Sequence, residues 1–443
     1  MFNFKTYKQI LLIAFPIMIG MVSQNIIQIT NTAFLGRLGE ESLGVSAMGG
    51  LFYMLLSVLS WGFSNGTQIL VARRLGEKRF SEIGSLTMHN IVIMCVYAVV
   101  AFLVLQFGAE IILAKVIHSK SVFDKSISFL KYRSWGILFT VFISTLNAFY
   151  IGLGRTKVIT YSTLVTAAIN IFLDYSLIFG HFHFPALQTD GAAIASIIAE
   201  LGGLAVLLYN LFLHNYFRQY NFSFQTKFEK EKFKQLLKLS SPLVLQYSFS
   251  FGAWYLFFIV LENMGEQTVA IANIMRSILF LFTISCWAIA SSCNSLVSNK
   301  IGEGKKYEVI ETIKSAGMLS FLISLFFVIL LWLFAKPIMH IYTNKIVLIN
   351  GAIEPLYMLG VAILFLSFST VVFQGVQGTG NTMFNLLAEF ISVLVYCAYV
   401  FGFVNRLQLS LTWAWASELF YWTSLVLLSI FYLKSGRWKL KKI

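Results

Sequence analysis

The run Met318-Leu-Ser-Phe-Leu-Ile-Ser-Leu-Phe-Phe-Val-Ile-Leu-Leu-Trp-Leu-Phe-Ala335 holds no charge, no proline and no glycine over eighteen residues. Wound as a helix it is about 27 Å long, close to the thickness of a bilayer's hydrocarbon core. It is not alone: residues 86–114, 136–153 and 386–404 are almost as free of charge. The whole chain of 443 residues is 58% hydrophobic and 12% charged, with a mean hydropathy of +0.77. A soluble domain carries about 25% charged residues, so the composition excludes that class and predicts a polytopic helical membrane protein.

Working outward from that run, we count twelve spans, at 9–35, 43–72, 86–114, 128–153, 156–180, 190–214, 235–262, 268–298, 309–334, 352–379, 382–404 and 409–433. The first follows Lys5 and Lys8, is too long for a signal-peptide core and lacks a small-residue cleavage site, so it reads as a retained helix. The net charge of +14 is unevenly spread. With the N-terminus inside, twenty-three of the 33 Lys and Arg fall on the inner side and nine on the outer, and Arg276 lies within a span. This asymmetry is the positive-inside signal. It predicts both termini in the cytoplasm of a bacterial-type inner membrane and accounts for the basic charge without nucleic acid. Cys95, Cys286, Cys293 and Cys397 all sit in spans. Cys286 and Cys293 are separated by about 10 Å of helix, too far to bridge.

Shifted by 226 residues, the sequence overlays itself without a gap. Pro16 meets Pro242, Gly39-Glu40 meets Gly265-Glu266, and Trp61 meets Trp287. Gly76-Glu77 meets Gly302-Glu303, and Gly152, Gly154 and Thr156 meet Gly378, Gly380 and Thr382. Two homologous halves of six spans are implied, 1–214 and 235–443, joined by a polar linker at 215–234 on the cytoplasmic side. Six is even, so the repeat is parallel, about an axis along the membrane normal, and substrate sites in such proteins lie where the halves meet. The glycine-rich segments after spans 4 and 10 lack the G-x-x-x-x-G-K-[ST] phosphate-loop pattern and read as tight turns. ATP is therefore not the expected energy source.

Several ordered motifs resemble the multidrug and toxic compound extrusion (MATE) family. They are Pro16, Thr32-Ala-Phe-Leu-Gly36-Arg37-Leu-Gly39, Gly66-Thr67-Gln68 with Val71-Ala-Arg73 and Gly76, Gly152-Leu-Gly-Arg-Thr156, Asn170-x3-Asp174 and Gly191-Ala-Ala-Ile-Ala-Ser196. The resemblance spans nearly the whole chain. It implies two six-helix lobes that export organic, often cationic or amphipathic, compounds in exchange for Na+ or H+. It also implies an N-lobe ion site that includes Asn170 and Asp174, with Gln24 and the Ser196 hydroxyl matching further members of that site. Asn31 stands where some members carry an aspartate, so one of two carboxylates is missing. Ser250 stands where some carry a glutamate in span 7.

Read from the residues themselves, Asp174 is a carboxylate in an apolar span. Asn170 lies one turn before it on the same helix face, so an amide oxygen and a carboxylate converge. The pair suits either a Na+ cradle, the only metal binding expected here, or a proton acceptor, and intramembrane acids mark such paths by default. Glu200, one turn after Ser196 near mid-depth, is a second coupling candidate, weighed against a role in locking helices. Arg276 is expected to face acidic partners, with Glu389 and Glu418 as candidates either to contact it or to line a substrate cavity. Tyr53, Trp61, Trp287 and Gln374 join that cavity set. Trp254 and Tyr255 are also placed to stack apolar compounds or draw cations to their π faces.

The reading is an all-α secondary antiporter working by alternating access, functional as a monomer, with small organic substrates and no cofactor beyond H+ or Na+. A lipid-linked oligosaccharide flippase of related architecture is the alternative; it calls for a strongly cationic cavity, whereas the count above leaves Arg276 alone within the spans. An enzyme would need clustered His, Asp or Glu at ligand or nucleophile spacing, and no such cluster is present in the sequence.

Overall fold

A computed structural model describes residues 4–222, 229–441 and 443. All regular structure among them is helical, and twelve helices are long and apolar enough to cross a membrane. The first six are α1 (Phe4–Leu38), α2 (Glu40–Gly76), α3 (Phe80–Leu113), α4 (Lys120–Gly152), α5 (Lys157–Phe179) and α6 (Gln188–Leu213). The second six are α7 (Lys230–Asn263), α8 (Glu266–Gly302), α9 (Lys306–Leu333), α10 (Ile346–Gly378), α11 (Thr382–Asn405) and α12 (Leu411–Lys434). Helix is obligatory here because lipid offers no partner to a backbone N–H or C=O. Most helices overrun the apolar runs that announce them, since winding continues into the interface where side chains turn polar.

The chain packs as two compact units, residues 19–240, and residues 1–18 with 241–443. Inside the first, α2 packs on α3 and α4, α4 packs on α3 and α6, and α5 packs on α6. Inside the second the same pairings recur with every label raised by six. The backbone repeats as faithfully. Gly39 and Gly265, repeat mates at the α1–α2 and α7–α8 turns, have φ of +116° and +106°, and Gly154 and Gly380 have +68° and +89°. Glycine takes such angles without strain, and those above +100° suit little else. Glycine also sets the closest crossings: a Cβ on Gly152 would lie 2.9 Å from the Gln68 carbonyl oxygen, and one on its mate Gly378 would lie 2.4 Å from that of Asn294. Small residues at such points let helix backbones approach.

After the sixth helix of each half the chain folds back on the start of the third. In the linker, a turn of helix at Tyr216–Gln219 leads to Tyr220, whose carbonyl accepts from Gly84 N at 2.9 Å. Past residues 223–228, which lie outside the described residues, Glu229 N donates to His89 Nε2 at 3.0 Å and Lys232 Nζ to Ser85 Oγ at 3.0 Å. At the C-terminus, Lys306 Nζ donates to the Lys439 carbonyl at 2.6 Å, while Trp438 is 1% exposed.

Candidate functional site

Asp174 lies in the last third of α5 and is fully buried, and Asn170, one turn earlier, is 1% exposed. Small residues make room for them: a Cβ on Gly191 of α6 would lie 2.6 Å from the α5 backbone oxygen of Leu177. From α6, Ser196 Oγ accepts from Asn170 Nδ2 at 3.3 Å. From α1 comes Asn31. With its amide nitrogen turned toward the acceptors, as the hydrogen-bond pattern requires, it donates to Asn170 Oδ1 at 3.1 Å, to the Ile27 carbonyl at 3.2 Å and to Asp174 Oδ2. Asp174 Oδ1 is buried with no hydrogen-bond partner. Among the described residues Asp174 has no ion-pair partner, and it does not face lipid. Three helices thus enclose one carboxylate with amides and a hydroxyl. A carboxylate so enclosed is stable only when a proton or a small cation cancels its charge.

Gln24 and Glu200 do not join this cluster. Gln24, two turns before Asn31 on α1, is exposed and takes no part in these hydrogen bonds. Glu200 is held by Arg133 of α4 through two contacts, one of them Nη1 to Oε2 at 3.1 Å. The guanidinium lies 3.9 Å from the centre of the Tyr53 ring, whose hydroxyl is 2.9 Å from Thr140 Oγ1. Gly136 leaves space for this pair, since a Cβ there would meet Arg133 Nη1 at 1.8 Å. Arg133 falls within span 4 (128–153), so the expectation that Arg276 stands alone within the spans is corrected. Helix α4 begins at Lys120, not near 128, capped by Ser119, so Arg133 stands inside the helix with its side chain only 12% exposed. The signal was the serine ahead of the run.

The second unit holds two buried acids. Glu389, 1% exposed, receives the Ser250 and Tyr421 hydroxyls on Oε1, both at 2.5 Å. Glu418, 6% exposed, accepts from Trp422 Nε1 at 2.8 Å. Ser250 occupies the place where some family members carry a glutamate, and the carboxylate it meets comes instead from α11. Neither acid pairs with Arg276, which corrects the expectation of acidic partners: the guanidinium faces Trp254 at 5.8 Å and Phe258 at 5.4 Å and makes no ion pair among the described residues. Gln374 is buried and accepts from Asn294 at 3.0 Å. Trp61 and Trp287 stay exposed, while Tyr53 is buried against Arg133.

With this geometry in place, the likenesses to known proteins are informative. A family model described as MatE matches residues 16–176 and again 242–403, which reproduces the 226-residue offset of the repeat. The chain is 25% identical over 442 residues, 98% of its length and 94% of the relative's, to a "Probable multidrug resistance protein NorM" of Thermotoga maritima. Its fold matches an outward-facing multidrug resistance MATE family transporter of the MOP superfamily with a TM-score of 0.91, 19% identity and coverage of 98% and 97% of the two chains. It matches a MOP superfamily transporter of Pyrococcus furiosus with a TM-score of 0.90 at 20% identity, over 99% and 97% of the two chains. Twelve spans, an internal repeat matched twice by one family model and a near-complete fold match together place this integral membrane protein in the MATE (MatE) family of multidrug transporters.

Proposed function

We propose that the protein is a secondary active antiporter. It exports organic, often cationic or amphipathic, compounds by alternating access of two lobes, 1–214 and 235–443, joined by the linker 215–234. Its termini lie in the cytoplasm of a bacterial-type inner membrane, and one chain suffices. Asp174 carries the coupling ion, supported by Asn170, Asn31 and Ser196.

One observation carries the reading: a fully buried carboxylate with no basic partner and one oxygen, Oδ1, left without a hydrogen bond. The same arrangement favours H+ over Na+. With the Asn31 amide assigned nitrogen-inward, the cluster offers the ion a donor from α1 where a Na+ cradle calls for a further oxygen. A proton needs only Oδ1. Binding and release of that proton change the charge enclosed by α1, α5 and α6, which biases the lobe between two packings. The flippase reading is disfavoured, because a pyrophosphate head calls for a cluster of cations, whereas Arg133 is neutralised by Glu200 and Arg276 stands beside aromatic rings.

The test is transport in vesicles of a fluorescent cationic dye, with ΔpH and ΔpNa imposed separately. Wild type should counter-transport on ΔpH alone, and Asp174→Asn should abolish it while the protein still folds. Transport driven by ΔpNa alone overturns the choice of ion; undiminished counter-transport by the variant overturns the site.

A further inference from the structure

We propose that Arg276, with Trp254 and Phe258, forms an anion-recognition subsite that binds the carboxylate, sulfonate or phosphate head of an amphiphile. The inference rests on the transporter reading and narrows its substrate class.

Arg276 lies ten residues into α8, about 15 Å along the helix from Glu266. A guanidinium on a membrane helix either pairs or faces water or a ligand, because lipid solvates it poorly. The buried acids of this unit meet other groups, Glu389 the Ser250 and Tyr421 hydroxyls and Glu418 the Trp422 indole, and neither pairs with Arg276. Arg276 is half-buried, with aromatic rings on its α7 side and polar neighbours along α8. Asn273 and Ser277, on the same face of α8, are exposed, and Ser277 Oγ meets the Tyr342 hydroxyl at 3.4 Å.

Trp254 and Phe258 are one turn apart on α7, with ring centres 5.1 Å from each other, and Trp254 lies 5.6 Å from Phe280, which is 46% exposed. These rings hold the guanidinium in place and continue past it as an apolar wall. The π face of Trp254, which the sequence alone offers to cationic ligands, is already shared with a cation. A cationic head placed there would meet like charge, whereas an anionic head meets the fork of donors that matches carboxylate and phosphate oxygens. The apolar body of the same molecule would lie along Trp254 and Phe280. The feature is peculiar to this half, since the repeat mate of Arg276 is Gly50, whose Cβ position has nothing within 4 Å.

The experiment uses the purified full-length protein in phosphatidylcholine nanodiscs and two matched probes: dansyl-glycine, a carboxylate, and dansyl-glycinamide, its uncharged counterpart. Fluorescence polarisation should show wild type preferring the carboxylate by about tenfold, the effect of one charge-assisted hydrogen-bonded contact. Arg276→Gln should level the two affinities, and Arg276→Lys, which keeps the charge, should restore part of the preference. Equal affinities in wild type, or an undiminished preference in Arg276→Gln, overturn the proposal. Adding phosphatidylglycerol identifies the source of the anion: displacement of dansyl-glycine from wild type by this lipid points to a headgroup phosphate, and its absence points to a free amphiphile. A protein that shows the preference but counter-transports neither the cationic dye nor dansyl-glycine would sink the antiport reading and leave this site standing.

Discussion

At the scale of single residues, the ion pair between Arg133 and Glu200 separates two readings of Glu200. A carboxylate that loads and unloads an ion must be able to release its partner, whereas one clasped through both oxygens by a guanidinium is a lock. With side chains 12% and 17% exposed, removing one partner leaves a buried, uncompensated charge. Glu200→Gln is therefore expected to cost about 3 kcal/mol, read as a lowered melting temperature in detergent. The double change Arg133→Leu with Glu200→Leu should recover much of that loss. Normal stability with abolished coupling in Glu200→Gln would instead return Glu200 to the ion path. Asp174 and Asn170 were legible from spacing alone, because four residues on a helix are one turn. The turn of the Asn31 amide was not, since it depends on α1 arriving beside α5.

At the scale of elements, glycine positions decide how closely helices cross. The backbone oxygen of Asn294 on α8 occupies the place where a Cβ on Gly378 of α10 would stand. Gly378→Ala must push the two helices apart, at about 2 kcal/mol, and should lower the melting temperature by roughly 4–8 °C. Gly50→Ala is the control: its Cβ enters open space within a helix, where alanine is favoured, so its melt should be unchanged or raised. Equal destabilisation of both variants would show that helix flexibility, not the crossing, is what these glycines provide. Helix number and type followed from the apolar runs, but helix starts did not. Span 4 begins eight residues earlier than its apolar run suggests, because Lys120 and Lys125 have the look of loop charge while the helix runs through both.

At the scale of the whole molecule, the excess of Lys and Arg on one side predicts that both ends face the cytoplasm. A fluorescent protein fused after the C-terminus should fold and fluoresce in cells, and alkaline phosphatase fused at the same place should be inactive. The reverse pattern would invert the topology. Twelve helices, their parallel duplication and the family were legible along the chain. Each of these rests on local or periodic properties: apolar length against membrane thickness, side-to-side charge, and glycines and prolines in one register. Which charges are neutralised, by whom, and which are left over was settled by folding alone. Arg133 meets Glu200 from 67 residues away and Ser250 meets Glu389 from 139 residues away, while Arg276 meets aromatic rings and no acid. Side-chain partners at such separations are chosen by how helices pack, and no pattern read along one strand of sequence carries that information.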